Sequence, residues 1–191
     1  MRYDKGHKDA SRRRIIDVAS ERFRSDGIAA SGLAAIMSDA GLTNGAFYPH
    51  FKSKADLVRE SVAAAMEDQS SLLLGMLADG GLEAVIAAYL SPEHRDSPQS
   101  GCTWAALLPE LARQPADTRE VYTERFLETL REMASAIPEE AGDREAVALG
   151  VYATLIGTLQ LARAVNGTPL SDRILAVGAN AARRSLGIAT A

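Results

Sequence analysis

GLTNGAFYPHFKSKADL, residues 41–57, is the stretch that decides the fold of this chain. Gly41 breaks the helix before it, and Thr43 is a candidate cap for a very short helix that carries Phe47 and Phe51. Asn44, Gly45 and Ala46 give that helix a surface of tiny side chains, able to approach another surface closely. Phe47 and Phe51 are assigned to the core, where they hold the helix on its partners. Tyr48, His50, Lys52 and Lys54 are side chains of the kind that hold phosphates. Pro49 lacks an amide donor and marks the end of the short helix. Ser53 is the cap of the next helix, which opens at Lys54 with Asp56 in its first turn. A sharp turn, a cap, a small-residue face and a phosphate-holding set, in that order, predict the recognition half of a helix-turn-helix, which enters a DNA major groove.

The residues upstream supply the other two helices. From Ala10, Ile15, Ala19 and Phe23 recur at a spacing of four, and Asp26-Gly27 closes the helix. Ser31 is a candidate cap for a second helix that turns Leu33, Ile36 and Met37 inward. Residues 1–9 are expected to form a flexible basic arm. Arg12, Arg13 and Arg14 are either a solvated helix start or contacts to phosphates or the minor groove.

Downstream, a long helix is predicted from Lys54 to about Ala78, a turn at Asp79-Gly80-Gly81, and a short helix over 82–90. SPEHRDSPQSG, residues 91–101, is predicted to be a loop. Helices follow at 102–113, 116–136, 143–165 and 171–187. No strand-like alternation, internal repeat or low-complexity tract is present. The fold class is therefore all-α: a three-helix helix-turn-helix domain over 1–53 and a larger helical domain over 54–191.

Charge is divided along the same boundary. The whole chain of 191 residues carries −4. Residues 1–59 hold eleven Lys and Arg against seven Asp and Glu, net +4, and the remainder carries −8. A basic head on an acidic body points to an anionic partner for the head alone. The single cysteine, Cys102, excludes an intrachain disulfide, and a cytoplasmic location is the default. The polar N-terminus has no apolar signal core, and no apolar run reads as long enough for a membrane span.

At this level of detail the chain resembles the N-terminal domain of TetR/AcrR-type transcriptional regulators. The residues that carry the resemblance are Ile15-Ile16, Ala19, Phe23, Gly27-Ile28, Leu33, Ile36, Gly41-Leu42-Thr43, Gly45-Ala46-Phe47-Tyr48, His50-Phe51, Ser53-Lys54 and Leu57. They span about residues 11–60. Gly101-Cys102, Ala105-Ala106-Leu107 and Glu110-Leu111-Ala112-Arg113 also resemble a segment found in one branch of the family. Three positions depart from the pattern: Gly32 replaces a common serine or threonine, Met37 a small alanine, and Asn44 a frequent lysine. The resemblance implies double-stranded operator DNA as partner. It places Tyr48, His50 and Lys54 on phosphates. Lys52 is exposed beside them, and Ser31, Thr43, Asn44, Gly45 and Ala46 complete the DNA-binding set. Asn44 suits an adenine edge and Ala46 a thymine methyl.

For the body, the resemblance implies a homodimer and a small-molecule effector. Candidate effector-pocket residues are Met66, Met76, Tyr89, Trp104, Leu108, Tyr122, Phe126 and Met133, with Gln160 and Arg163 as polar groups. An aromatic wall with few polar groups favours an apolar or aromatic effector. Candidate dimer residues are Leu149, Ala153, Ile156, Gly157 and Gln160 on one helix and Ile174, Val177 and Ala181 on the last. The expected function is a ligand-responsive repressor on a palindromic operator. The alternative is an all-helical small-molecule-binding protein, or a redox or electrophile sensor acting through Cys102. Nothing points to an enzyme, a cofactor or a metal: there is no phosphate-cradling glycine loop, and His7, His50 and His94 lack metal-ligand spacing.

Overall fold

The structure, a computed structural model, describes residues 5–188. Helix α1 (Lys5–Asp26) precedes α2 (Leu33–Asp39) and a single 3-10 turn (Asn44–Ala46). Helix α3 (Lys54–Tyr89) then runs out of this head into the body. The body adds α4 (Pro92–Asp96), a 3-10 turn (Pro98–Ser100), α5 (Thr103–Leu111), α6 (Ala116–Ser135), a 3-10 turn (Glu139–Ala141), α7 (Arg144–Ala164) and α8 (Pro169–Ser185). The described residues form no strand, as the all-α reading requires.

The head closes on the side chains that the periodicity selects. Ile15, Ala19 and Phe23 of α1 meet Ile36 and Met37 of α2, with Phe47, Phe51 and Leu57 beneath them, all buried. Phe47 and Phe51 stack with ring centroids 5.6 Å apart. Met37, large where a small residue is common, is fully buried in this core.

Several expectations are corrected. Residues 5–9 are the first turns of α1, not an arm; residues 1–4 lie outside the described residues. Ser31 does not cap α2, whose cap position is Gly32 and has no side-chain bond. The Ser31 hydroxyl instead donates back to the Gly27 carbonyl at 2.7 Å and the Arg22 carbonyl at 3.2 Å. The Gly27 carbonyl also accepts the Ser31 amide at 3.2 Å, so Ser31 closes the turn after α1 with both its amide and its buried hydroxyl. Residues 91–101 are not a loop: Ser91 accepts from the His94 amide and Pro92 opens α4, an ordinary helix start in miniature.

Helix α3 departs from helical geometry at Gly81 (φ 64°, ψ −159°), where the turn was expected. Beyond it, Arg183 of α8 grips Glu83 at 2.6–3.1 Å. By length and composition α3 and α7 are apolar enough to cross a membrane, which corrects the reading that no apolar run reaches that length. Both helices supply buried core residues, among them Leu57, Val62 and Ile86 on α3 and Val151, Leu155 and Leu159 on α7.

Candidate nucleic-acid interface and effector cavity

The recognition element is one 3-10 turn, not a regular helix. Thr43 occupies its cap position, extended, but makes no side-chain cap bond. The chain continues in turns, with the His50 and Phe51 amides both donating to the Phe47 carbonyl. Thr43, Asn44, Gly45 and Tyr48 are exposed, Tyr48 by 72%, and Ala46 is half-buried. The Tyr48 ring meets Phe47 edge-on at 5.4 Å, so a core residue holds an exposed one in place.

The cations around this turn differ in their freedom. Lys52 is exposed. Lys54 is the first residue of α3, but its ammonium donates to the Ile28 carbonyl at 2.6 Å. In this conformation Lys54 ties α3 to the α1–α2 turn and does not present a free charge. Arg12 pairs with Glu60 and lies over the Phe51 ring, 4.9 Å from its centroid. Arg14 donates to the Ala40 carbonyl. Of the three arginines, Arg13 and Arg14 are exposed and Arg12 is half-buried.

His50 is half-buried, and its Nδ1 is buried without a hydrogen-bond partner. Burial holds its pKa below the ordinary value, and Lys8 and Arg12 push it further down. Lys8 thus acts on the recognition turn from α1, a neighbour hidden while residues 1–9 are read as an arm. Ser31 is fully buried and leaves the candidate contact set.

The body holds two adjacent hollows separated by an aromatic partition. The first, about 200 Å³, is lined by Met66, Met76, Tyr89, Trp104 and Met133, five of the expected pocket residues. The second, about 620 Å³, takes Trp104 again with Leu108, Tyr122, Phe126 and Gln160. Trp104 packs on Tyr122 at 4.1 Å and Phe126 at 4.9 Å, and Phe126 reaches Tyr152 at 5.8 Å. Tyr152 lines both hollows from a helix whose small-residue stripe reads as a dimer seam, so the sequence does not mark it as a pocket residue. Arg163 lines neither: its guanidinium donates to the carbonyls of His94 and Arg95 and fixes α4.

Cys102 is buried at the start of α5, its sulfur 3.7 Å from the Tyr152 hydroxyl. Burial, and secondarily Cys102, hold the Tyr89 and Tyr152 phenols well above their ordinary pKa.

The candidate dimer stripe divides. Leu149 (46%), Ala153 and Val177 (58%) are exposed, as are Leu161 and Leu170. Ile174 and Ala181 are half-buried. Leu149, Ala153, Ile156, Gly157 and Gln160 also line the second hollow, and the Gln160 amide donates to the Ala105 carbonyl. The small residues of α8 serve partly within the chain: a Cβ on Gly178 would lie 2.2 Å from Thr158 of α7.

Head and body meet through α5. The Glu110 carboxylate accepts the Ala29 amide at 3.0 Å, and a Cβ on Gly27 would lie 2.6 Å from its oxygen. Gly27 has φ +87°, so glycine answers both the turn and the close approach. Arg24 of α1 donates to the Gln99 carbonyl.

Residues 15–61 match the family model described as bacterial regulatory proteins, tetR family. The head belongs to the TetR family. Two curated relatives agree with this head. SrpR of Pseudomonas putida, named an HTH-type transcriptional regulator, is 38% identical over 96 residues, covering 48% of this chain and 43% of SrpR. AcrR of Shigella flexneri, also named an HTH-type transcriptional regulator, is 41% identical over 59 residues, 31% of this chain and 27% of AcrR. The aligned segments thus span less than half of these relatives. Among solved structures, a TetR-family regulator from Cytophaga hutchinsonii superposes with a TM-score of 0.78 at 17% identity, covering 98% of this chain and 99% of that one. Reduced NemR of E. coli gives 0.74 at 19%, covering 90% and 96%. At these identities the likeness extends the TetR-family fold, and only the fold, to the body.

Proposed function

We propose that the chain is a sequence-specific DNA-binding transcriptional regulator, a repressor that a small-molecule effector releases from a palindromic operator. The observation that carries this reading is the exposed turn Thr43–Ala46, flanked by Tyr48 and Lys52 and set rigidly on Phe47 and Phe51. Tyr48, His50 and Lys52 grip phosphates and Asn44 reads a base edge. Lys54 joins them only by giving up Ile28; otherwise it sets the angle of α3 against the head. A homodimer in the cytoplasm, paired through the exposed apolar residues of α7 and α8, presents two heads roughly 34–36 Å apart to successive major grooves. The effector occupies the hollows beside Trp104. Movement of α5 there reaches the head through Glu110 and Ala29, and the coupling acts equally in both directions.

A gel shift with selected DNA tests the division of roles. Lys52→Ala is expected to weaken binding evenly across sequences and to lower the salt slope by about 1, whereas Asn44→Ala changes sequence preference. Identical behaviour of the two variants would refute it.

The histidine gives a second expectation with opposite signs for two observables. Because the folded pKa of His50 is depressed, stability without DNA falls as pH drops below the unfolded value of about 6.5. A bound phosphate favours the imidazolium, so DNA affinity rises over the same interval. Both trends should flatten in His50→Gln, measured by urea denaturation and fluorescence anisotropy from pH 8 to 6.

A further inference from the structure

The hydrogen-bond inventory of the smaller hollow restricts what it can hold. No Asp, Glu, Lys or Arg lines it. Its polar groups are mostly spent. Gln69 donates to the Gly101 carbonyl and the Thr103 hydroxyl, and its carbonyl accepts from the Thr103 amide. His94 donates from Nδ1 to the Tyr89 carbonyl at 2.7 Å and accepts the Cys102 amide on Nε2 at 3.0 Å, which fixes the neutral tautomer. Burial, reinforced by Arg163, holds its pKa below the ordinary value.

What remains unsatisfied is a phenol hydroxyl, a strong donor and a weak acceptor. The Tyr89 hydroxyl is buried and has no hydrogen-bond partner, while the Tyr152 hydroxyl has only the weak partnership of the Cys102 sulfur. A buried hydroxyl without a partner is costly, and an arriving acceptor recovers that cost. A ligand that needed acceptors would find Gln69 and His94 occupied and only weakly accepting hydroxyl oxygens open, and an ion would lose its hydration with no counter-charge in the lining. The volume lies below the about 300–1,000 Å³ of pockets for drug-sized molecules.

We propose that this hollow selects small, uncharged, planar aromatic molecules bearing a carbonyl-type acceptor, which takes the Tyr89 hydrogen bond while the rings lie against Trp104. This rests on the effector-site reading above and adds the chemical class of the effector. Trp104 is the only tryptophan of the chain, so its fluorescence reports occupancy directly.

The test titrates the full-length protein, without DNA, with 9-fluorenone, fluorene, which lacks the carbonyl, and fluorene-9-carboxylate, which is charged. Fluorenone should quench Trp104 saturably, fluorene should bind about five- to tenfold more weakly, the range one neutral hydrogen bond supplies, and the carboxylate should not saturate. Tyr89→Phe should weaken fluorenone by the same factor and leave fluorene unchanged; the retained fluorene affinity shows that the variant is folded. Tyr152→Phe should have a smaller effect on fluorenone. Equal affinity for fluorenone and fluorene, tighter binding of the carboxylate, no saturable binding of fluorenone, or indifference to Tyr89→Phe would each overturn the proposal. A gel shift on the same preparation keeps the outcomes separate: DNA binding without fluorenone binding rejects the ligand class alone, and the reverse rejects the DNA reading alone.

Discussion

Phe47→Ala is expected to destabilise the protein by about 3–5 kcal/mol, the cost of an aromatic-to-alanine cavity in a close-packed core. The ring is 1% exposed, stacks on Phe51 and braces Tyr48 from below. Its loss removes the platform on which the recognition turn stands, so DNA binding should vanish with it. Tyr48→Ala is the control. Tyr48 is 72% exposed, so its stability should change by no more than about 0.5 kcal/mol, as for an ordinary surface site. DNA affinity should nevertheless fall. Urea denaturation of both variants separates scaffold from contact. A Phe47→Ala midpoint close to the parent's would mean that the recognition turn is held by something other than this ring.

The second large effect is expected at Gly178→Ala. The added methyl carbon would lie 2.2 Å from Thr158 Cγ2 and Oγ1 and 2.7 Å from its Cβ, so α7 and α8 must separate. Thr158 is buried, and its β-branched side chain has little rotamer freedom with which to retreat. Overpacking of this kind costs about 1–3 kcal/mol. Both faces of the pair should register the change: the denaturation midpoint falls, and the α7–α8 surface proposed to pair with a second copy is displaced, so the dimer seen by analytical ultracentrifugation should weaken. An unchanged midpoint would show that the crossing is looser than its geometry.

The head was legible because its signals are local. Ile15, Ala19 and Phe23 declare a buried face by spacing alone, and Phe47 and Phe51 by their place among polar neighbours. The misreadings share a cause: each side chain had two local options, or a distant partner. Ser31 could cap forward or bond backward, and it bonds backward to the Gly27 and Arg22 carbonyls at the end of α1. Lys54 opens α3 as expected, but its ammonium reaches Ile28, twenty-six positions away, and no sequence pattern announces that. Residues 5–9 look like a tail because Gly6 and the charges interrupt any apolar periodicity, yet they continue α1. The start of α4 is written in Ser91-Pro92-Glu93, a cap, a first-turn proline and an acid, but a segment so rich in polar residues reads as a loop.

In the body, aromatics identified the hollows but not their polar logic. Trp104, Tyr122 and Phe126 stand out by type. That Gln69 and His94 would be saturated and Tyr89 left over depends on contacts among α3, α4 and α5, which only the folded chain reveals. Tyr152 is hidden in the sequence because it lies between Leu149 and Ile156 on the stripe of α7 that reads as a dimer seam, and that same stripe lines the second hollow.

The central claim, that the exposed turn over 43–46 reads DNA on behalf of a two-headed molecule, is tested most directly by selecting bound sequences from a random duplex pool with the full-length protein. The account predicts enrichment of a two-fold symmetric site with half-sites about one helical turn apart, altered at one position per half-site by Asn44→Ala. Absence of any enriched sequence, or an enriched site that Asn44→Ala leaves untouched, would contradict it.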